Sequence, residues 1–567
     1  MMWLSRRTGL VVFVLFAALA VLPLRPAHAG VPTIGSPDNV TADPPVARPS
    51  TAPCTVQLFS HVTFADFSPK PFTYTPPAAC PGPWAKVVLE GDFSVTAGRQ
   101  FDRTAQIAVG HVNVYYGTTP EPSRTVSPTW HFERDLTDYS PVFRTAQTGE
   151  TNLGNLVNET YTGIIDGSAK LLFYPVSSHD PAPWTAGAVL SLSDAPGGAA
   201  LLDTGANLLA PALSLPRNIE AAYLDVIAQS QSADEFWYAC VPDDVADELF
   251  SCPGTAFRET EVTIDGQPAG VAPVYPWLYT GAIDPLLWRP IPGVQTLSFV
   301  PYRVDLTPFA GVLSNGQPHQ VGVRVFNANH YFLVAASLLL DLDAGSTQVT
   351  GAVTRNTLAA TPPLSIDEDL TTESDGSLTG TVRTASRRHL TVAGYAVTSH
   401  GRVETTVRQS LSFTNDQEFV VADAAYVQNI KQRTRIDSTT ETKRGHSTTT
   451  REQHFAYPLD LDISLAFAAD GSFSQTTAVD QTFESREEDG RVANNVTGTD
   501  TLLFDAAGAV VGFRDRHSTQ AYLARSEDGE HRHGGGRDGT CYSRSITAVD
   551  GLLTGITDGQ GCGHGGH

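Results

Sequence analysis

The stretch Ala105-Gln-Ile-Ala-Val-Gly-His-Val-Asn-Val-Tyr-Tyr116 decides the fold class. Its two apolar runs, 105 to 109 and 112 to 116, are of strand length and rich in β-branched and aromatic residues, and Gly110-His111 between them has the form of a tight hairpin turn. Upstream, Lys86-Val-Val-Leu-Glu90 reads as a further strand. The 567 residues contain no long amphipathic helix, and 38 prolines and 48 glycines punctuate them at short intervals. That spacing suits antiparallel sandwiches or jelly rolls and leaves little room for the crossover helices of a parallel sheet. The fold class is all-β.

A second strand-rich block runs from about Asn218 to Asp343. It comprises Ala222 to Ile227, Glu261 to Ile264 before the turn Asp265-Gly266, Gln295 to Val300, Val321 to Phe326 and the apolar run Tyr331 to Leu340. From Ser377 onward Thr and Arg alternate with Val, Leu and Phe, as in Leu390-Thr-Val-Ala-Gly-Tyr-Ala-Val-Thr398 and Val403 to Phe413, the texture of half-solvated antiparallel strands. At roughly 150 residues per domain the length accommodates three such units. The expected organisation is a first sandwich over 51–178, an Ala-, Gly- and Pro-rich linker over 179–216, a second sandwich over 217–345 and a β-rich domain over 346–567.

Residues 30–50, rich in Pro, Asp and Ser without periodicity, read as an extended, disordered leader, with order starting near Cys54. Ahead of it Arg6 and Arg7 precede the apolar run Leu10 to Leu22, and Ala27-His28-Ala29 offers small residues where a signal peptidase reads, which predicts cleavage after Ala29 and secretion. Cleavage removes three Arg and no acid, taking the formal charge from −23 to −26. Such a balance argues against gripping nucleic acid and against adhesion to a membrane surface. The six cysteines form sequence-local couples, Cys54 with Cys80, Cys240 with Cys252 and Cys541 with Cys562, which read as disulfides in an oxidising compartment, although six cysteines allow 15 connectivities.

Metalloprotease HExxH, esterase GxSxG, nucleotide GxxxxGK[ST] and thiol-redox CxxC motifs are all missing. Gly561 to Gly566 matches GxGxxG with no strand before it and no room for a helix after it, and His531, His533, His564 and His567 belong to Gly-rich tracts that fit no rigid ligand set. Carboxylates remain. In Gly98-Arg-Gln-Phe-Asp-Arg103 an acid lies between two guanidiniums, where a salt bridge would depress its pKa; in Asp234-Glu-Phe-Trp-Tyr238 adjacent acids meet three aromatics, which raise a carboxyl pKa and can stack on sugar rings. Structural ion pairs and core packing produce the same patterns.

At these residues the chain resembles the peptide N-glycosidases, or glycoamidases, of the A family. The likeness runs through Tyr74-Thr-Pro-Pro with Cys80-Pro81, Gly98 to Arg103, Leu153-Gly-Asn-Leu156 with Thr160-Tyr-Thr-Gly163, Asp234 to Tyr238, Pro285-Leu-Leu-Trp-Arg-Pro290 and Cys541-Tyr-Ser-Arg544. It implies two tandem jelly rolls with a site at their interface, a third β-rich domain, and hydrolysis of the asparagine–GlcNAc amide of N-glycopeptides and N-glycoproteins without metal or cofactor, by a monomer. A more distant likeness to the F family, through its Trp-Asp-Arg run, implies Asp102 as the first catalytic acid. Glu235, or its neighbour Asp234, is implied as the second, and Glu159, in Asn158-Glu-Thr160, as a third. The chemistry of amide hydrolysis adds Arg103 or Arg289 as positive charge for the oxyanion, and Trp237, Trp288 and Tyr161 read equally as sugar platforms or as core aromatics. Jelly rolls also serve as lectins, and paired carboxylates as endoglycosidases that cut between GlcNAc units, so both are rival readings.

Overall fold

The computed structural model describes residues 32–487, 490–526 and 541–562. The expected signal peptide over 1–29 and the tail histidines lie outside these described residues.

The first sandwich comprises β1 (Cys54–Phe64), β2 (Lys70–Tyr74), β3 (Trp84–Val95), β4 (Thr104–Val109), β5 (Val112–Thr118), β6 (Thr129–Asp135), β7 (Gln147–Leu153) and β8 (Ile165–Pro175). One sheet runs β1-β8-β3-β6 and the other β2-β7-β4-β5, so every connection except the β4–β5 hairpin crosses between sheets, the order of a jelly roll. The hairpin forms where the sequence predicts it: Gly110 and His111 both take positive φ, the backbone of a primed turn that matches strand twist. Leu89, Phe93, Ile107, Val114, Phe132 and Phe173 fill the space between the sheets. Gly91 makes that packing possible, since a Cβ there would stand 2.1 Å from the Phe132 ring.

The second sandwich repeats the order with β9 (Ala188–Ser191), β10 (Ala199–Leu202), β11 (Ala212–Leu213), β12 (Ile219–Gln231), β13 (Glu259–Ile264), β14 (Gln267–Pro273), β15 (Tyr302–Asp305), β16 (His319–Phe326) and β17 (Tyr331–Leu342). Its sheets run β10-β17-β12-β15, with β9 also on β17, and β11-β16-β13-β14. Two expectations are corrected. The segment 179–216 is more than a linker: β9, β10 and β11 are this sandwich's own edge strands, too short and too Ala-rich to show a period, and Leu192 and Leu202 enter its core. Gln295 to Val300 is no strand. Gln295 has a φ of 60°, the segment turns, and its backbone bonds across to β5, with Thr118 N–H donating to Thr296 O and Phe299 N–H to Tyr116 O.

The leader is also corrected. Residues 32–50 are extended but tied down: Val40 N–H donates to Pro290 O, Ala42 N–H to Gln520 Oε1 and Gly35 N–H to Leu553 O, with Val40 and Ala42 buried. Partners from distant parts of the chain, which no local pattern reveals, order it.

Beyond Thr350 lies a twelve-stranded antiparallel sheet whose longest members are Leu378–Thr398, Gly401–Ala422 and Ala425–Arg444. Their burial alternates residue by residue, and the buried face carries Leu390, Phe413, Ile430 and Ile436 into one continuous core with Trp237 and Phe257 of the second sandwich. All three cysteine couples are disulfide-bonded, as expected, and no free cysteine occurs. Among the described residues no helix is long and apolar enough to cross a membrane.

Candidate active site

Asp102 immediately precedes β4 and Glu121 follows β5. Since Thr104 pairs with Thr118, the hairpin register sets both acids at its open end. Backbone bonds close that end: Thr119 N–H donates to Arg103 O, and Arg103 N–H to Thr119 Oγ1, each at 2.9 Å. Against it lies the loop after β14 of the second sandwich, docked by Thr280 Oγ1 donating to Thr119 O at 2.7 Å. Gly281 of that loop directs its amide at the Asp102 carboxylate. Only glycine fits here, because a Cβ would stand 2.7 Å from Asp102 Oδ1 and 2.8 Å from Glu121 Oε1.

The Asp102 charge reaches both Glu121 and Glu235 and raises them. Burial pushes Asp102 up to about 6, against the Gly281 amide and the Arg103 charge, which pull it down. Burial and the Asp102 charge push Glu121 up to about 7, and the same two causes push Glu235 up to about 7. The expected depression of Asp102 by flanking arginines is thus corrected. Arg103 Nη2 donates to Gln100 Oε1 at 2.6 Å and Arg99 lies over the Tyr161 ring, so neither forms an ion pair with Asp102 and desolvation prevails.

Glu235 follows a single turn, Ser232–Asp234, at the end of β12. Its neighbour Asp234 is wholly buried, accepts from Arg258 Nε at 2.8 Å, and receives the backbone N–H groups of Asn329 and His330 at 2.8 and 2.7 Å. Asp234 is therefore committed to the frame, whereas the Glu235 carboxyl has no hydrogen-bond partner among the described residues and faces Asp102, Tyr279 and Tyr331. The loop behind Glu235 is held by the third domain. Asn415 Nδ2 donates to Tyr238 O at 2.8 Å, Gln428 Nε2 to Ala239 O at 2.9 Å and Gln417 Nε2 to Cys240 O at 2.9 Å, and these amides also bond one another.

Arg289 reaches the cluster from the second sandwich: Nη2 donates to Pro122 O at 3.1 Å and stands 3.6 Å from Glu121 Oε2. Tyr161 is held by a turn in which Asn158 Oδ1 accepts two backbone N–H groups, and its ring lies 5.3 Å from Phe101, an exposed ring beside Asp102. Glu159, in the same turn, is exposed and makes no hydrogen bond or ion pair among the described residues, so the structure does not bring it to the other acids. Trp237 and Trp288 are 1% and 2% exposed, and their faces are consumed by core packing; Trp288 Nε1 donates to Ala282 O at 2.8 Å. They are not open sugar platforms. Sequence reasoning missed Glu121, Tyr279 and Gly281. The Pro120-Glu121-Pro122 context, an acid fixed between two rigid residues, was the available signal for the first.

A separate cavity of about 920 Å³ between the sandwiches and the third sheet includes none of these acids. Rings in its wall pack on one another, as Tyr457 does on Phe483, and Arg303 is paired there with Asp225 and Asp138.

Carboxyls raised by burial stand beside two guanidinium groups at the junction of tandem jelly rolls, a constellation suited to acid–base hydrolysis. Residues 42–358 match the family described as peptide N-acetyl-beta-D-glucosaminyl asparaginase amidase A, and 381–459 match that family's C-terminal domain. The chain belongs to this family. It is 28% identical over 535 residues, 89% of either chain, to peptide-N4-(N-acetyl-beta-glucosaminyl)asparagine amidase A of Prunus dulcis. Among solved structures it is similar to PNGase F, a glycosylasparaginase from Flavobacterium meningosepticum, with 13% identity, a TM-score of 0.34 and coverage of 51% of this chain and 96% of that one. It is also similar to PNGF-II, with 12% identity, a TM-score of 0.34 and coverage of 51% and 66%.

Proposed function

We propose that the protein is a secreted peptide N-glycosidase that hydrolyses the amide between an asparagine side chain and the first GlcNAc of N-glycopeptides and N-glycoproteins, leaving aspartate and releasing the whole glycan as a glycosylamine. Family membership supports the reaction, and the observation that carries its assignment to this site is the coupled set Asp102, Glu121 and Glu235 beside Arg103 and Arg289. Amide hydrolysis needs a base for water, positive charge for the tetrahedral oxyanion and an acid for the departing amine. Ionised Asp102 fills the first role, Arg103 and Arg289 the second, and Glu235, which keeps its proton to a higher pH than Asp102, the third. These groups cover every role without calling on a metal. Tyr161 and Phe101 form the rim on which the sugar or peptide rests. The amino-terminal segment and the three disulfides support export.

Incubation with an N-glycopeptide in heavy-oxygen water, followed by mass spectrometry, tests the reaction: labelled aspartate in place of asparagine is expected. A peptide keeping one GlcNAc would make the protein an endoglycosidase, and an untouched peptide that still binds would make it a lectin.

A further inference from the structure

We infer that Glu121 is a positioning residue for this hydrolysis, holding the Asp102 backbone with one carboxyl oxygen while the other stands beside the Arg289 guanidinium; the inference rests on the amidase reading above. Glu121 is fixed between Pro120 and Pro122, whose rings restrict φ and remove both backbone donors from alternative pairing. Its side chain is 9% exposed. Oε1 accepts the Asp102 N–H at 3.3 Å, and Gly281 presses against that oxygen and Asp102 Oδ1 together. On its other side Oε2 stands 3.6 Å from Arg289 Nη2, in ion-pair range but beyond a direct hydrogen bond, while that nitrogen donates one of its two N–H groups to Pro122 O.

The groups around it give the geometry its chemical sense. Asp102, Arg103 and Arg289 face Glu121; Glu235 and Tyr279 face Asp102; Asp284 and Arg516 stand behind Arg289. Burial raises both carboxyls and the Asp102 charge raises Glu121 further, so an ionised Asp102 favours the protonated form of Glu121. Once Glu121 ionises as well, it pairs with Arg289 and withdraws that charge from a developing oxyanion.

The test is kcat and KM against pH from 5 to 9, on an N-glycopeptide, for the parent, Glu121→Gln and Glu121→Ala, with thermal scans to check folding. Gln keeps a neutral acceptor for the Asp102 N–H. Its kcat at pH 6 is expected within about threefold of the parent, and its alkaline limb is expected to move up by about half a pH unit or more, because one of two groups that end activity there is gone. Ala frees the Asp102 backbone and is expected to lose about tenfold or more in kcat at pH 6 with a smaller change in KM. An unmoved alkaline limb in Gln, or Gln as damaged as Ala at pH 6, would overturn the inference. If Ala does not fold, the Gln limb decides alone; if Gln fails too, Glu121 is a structural acid and the inference falls. A parent that leaves the glycopeptide intact defeats the amidase reading instead.

Discussion

Replacing Asp102 by Asn should abolish turnover and make the protein more stable above pH 7. Burial raises the Asp102 pKa from 3.8 to about 6, so the folded state holds its proton more tightly than the unfolded chain does. The native state then binds more protons between those values, and stability falls as pH rises through that window and stays lowered above it. At about 1.4 kcal/mol per pKa unit the cost above pH 6 is at most about 3 kcal/mol, and partial contact with solvent reduces it. Asn never ionises, yet its Oδ1 still accepts the Gly281 amide. It also removes the charge that helps raise Glu121 and Glu235, an effect of the same sign. The assay is a thermal scan of parent and variant in matched buffers from pH 4 to 8.5, beside the glycopeptide reaction. Equal transitions near pH 4 and a variant Tm higher by about 1–3 °C at pH 8 are expected. A variant equal to or below the parent at pH 8 would refute the claim that desolvation outweighs the Arg103 charge, and retained turnover would refute Asp102 as the base.

Asp234→Ala should cost about 3–5 kcal/mol by leaving the Arg258 guanidinium buried without its counter-charge, and urea unfolding of the variant measures it. Gln417→Ala removes the donor to Cys240 O and the acceptor for Gln428 Nε2. It should cost about 1–3 kcal/mol and lower kcat more than KM, because the loop it holds carries Glu235; steady-state kinetics beside a thermal scan separates the two effects.

What could be read from the sequence was what is local. The β4–β5 hairpin, the alternation in the long C-terminal strands and the sequence-adjacent disulfides each depend on neighbours along the chain, and each is present. What escaped depends on distant partners. The leader is ordered by Pro290, Gln520 and Leu553. β9 to β11 become strands because β16 and β17 supply pairing edges. The site divides the same way. Asp102 and Glu235 carried a motif, but the sign of the Asp102 shift turned on how far desolvation outweighs a nearby charge, which spacing cannot reveal. The choice between Asp234 and Glu235 turned on where Arg258 lies, 24 residues along the chain. Trp237 and Trp288 read equally well as platforms and as core because an aromatic side chain serves both, and only burial separates them.

The third domain, for which the sequence suggested no chemistry, has a physical reason to meet the site with amides. The loops carrying Glu235 and Arg289 are irregular, so their carbonyls need partners from elsewhere. Besides Asn415, Gln417 and Gln428, the sheet sends Gln481 to Pro276 O and to the Val294 N–H, and Gln475 to Ile283 O, clamping the second loop on both sides of Gly281. Lysine or arginine could donate to the same carbonyls, but a cation placed there would pull the nearby carboxyls back toward their ordinary values. An amide donates and accepts while adding no charge. Where the sheet does bring a cation near Arg289, at Arg516, the acids Asp284 and Asp500 accompany it. The strands therefore hold the loops from behind with uncharged groups, and so preserve the burial that raises Asp102, Glu121 and Glu235.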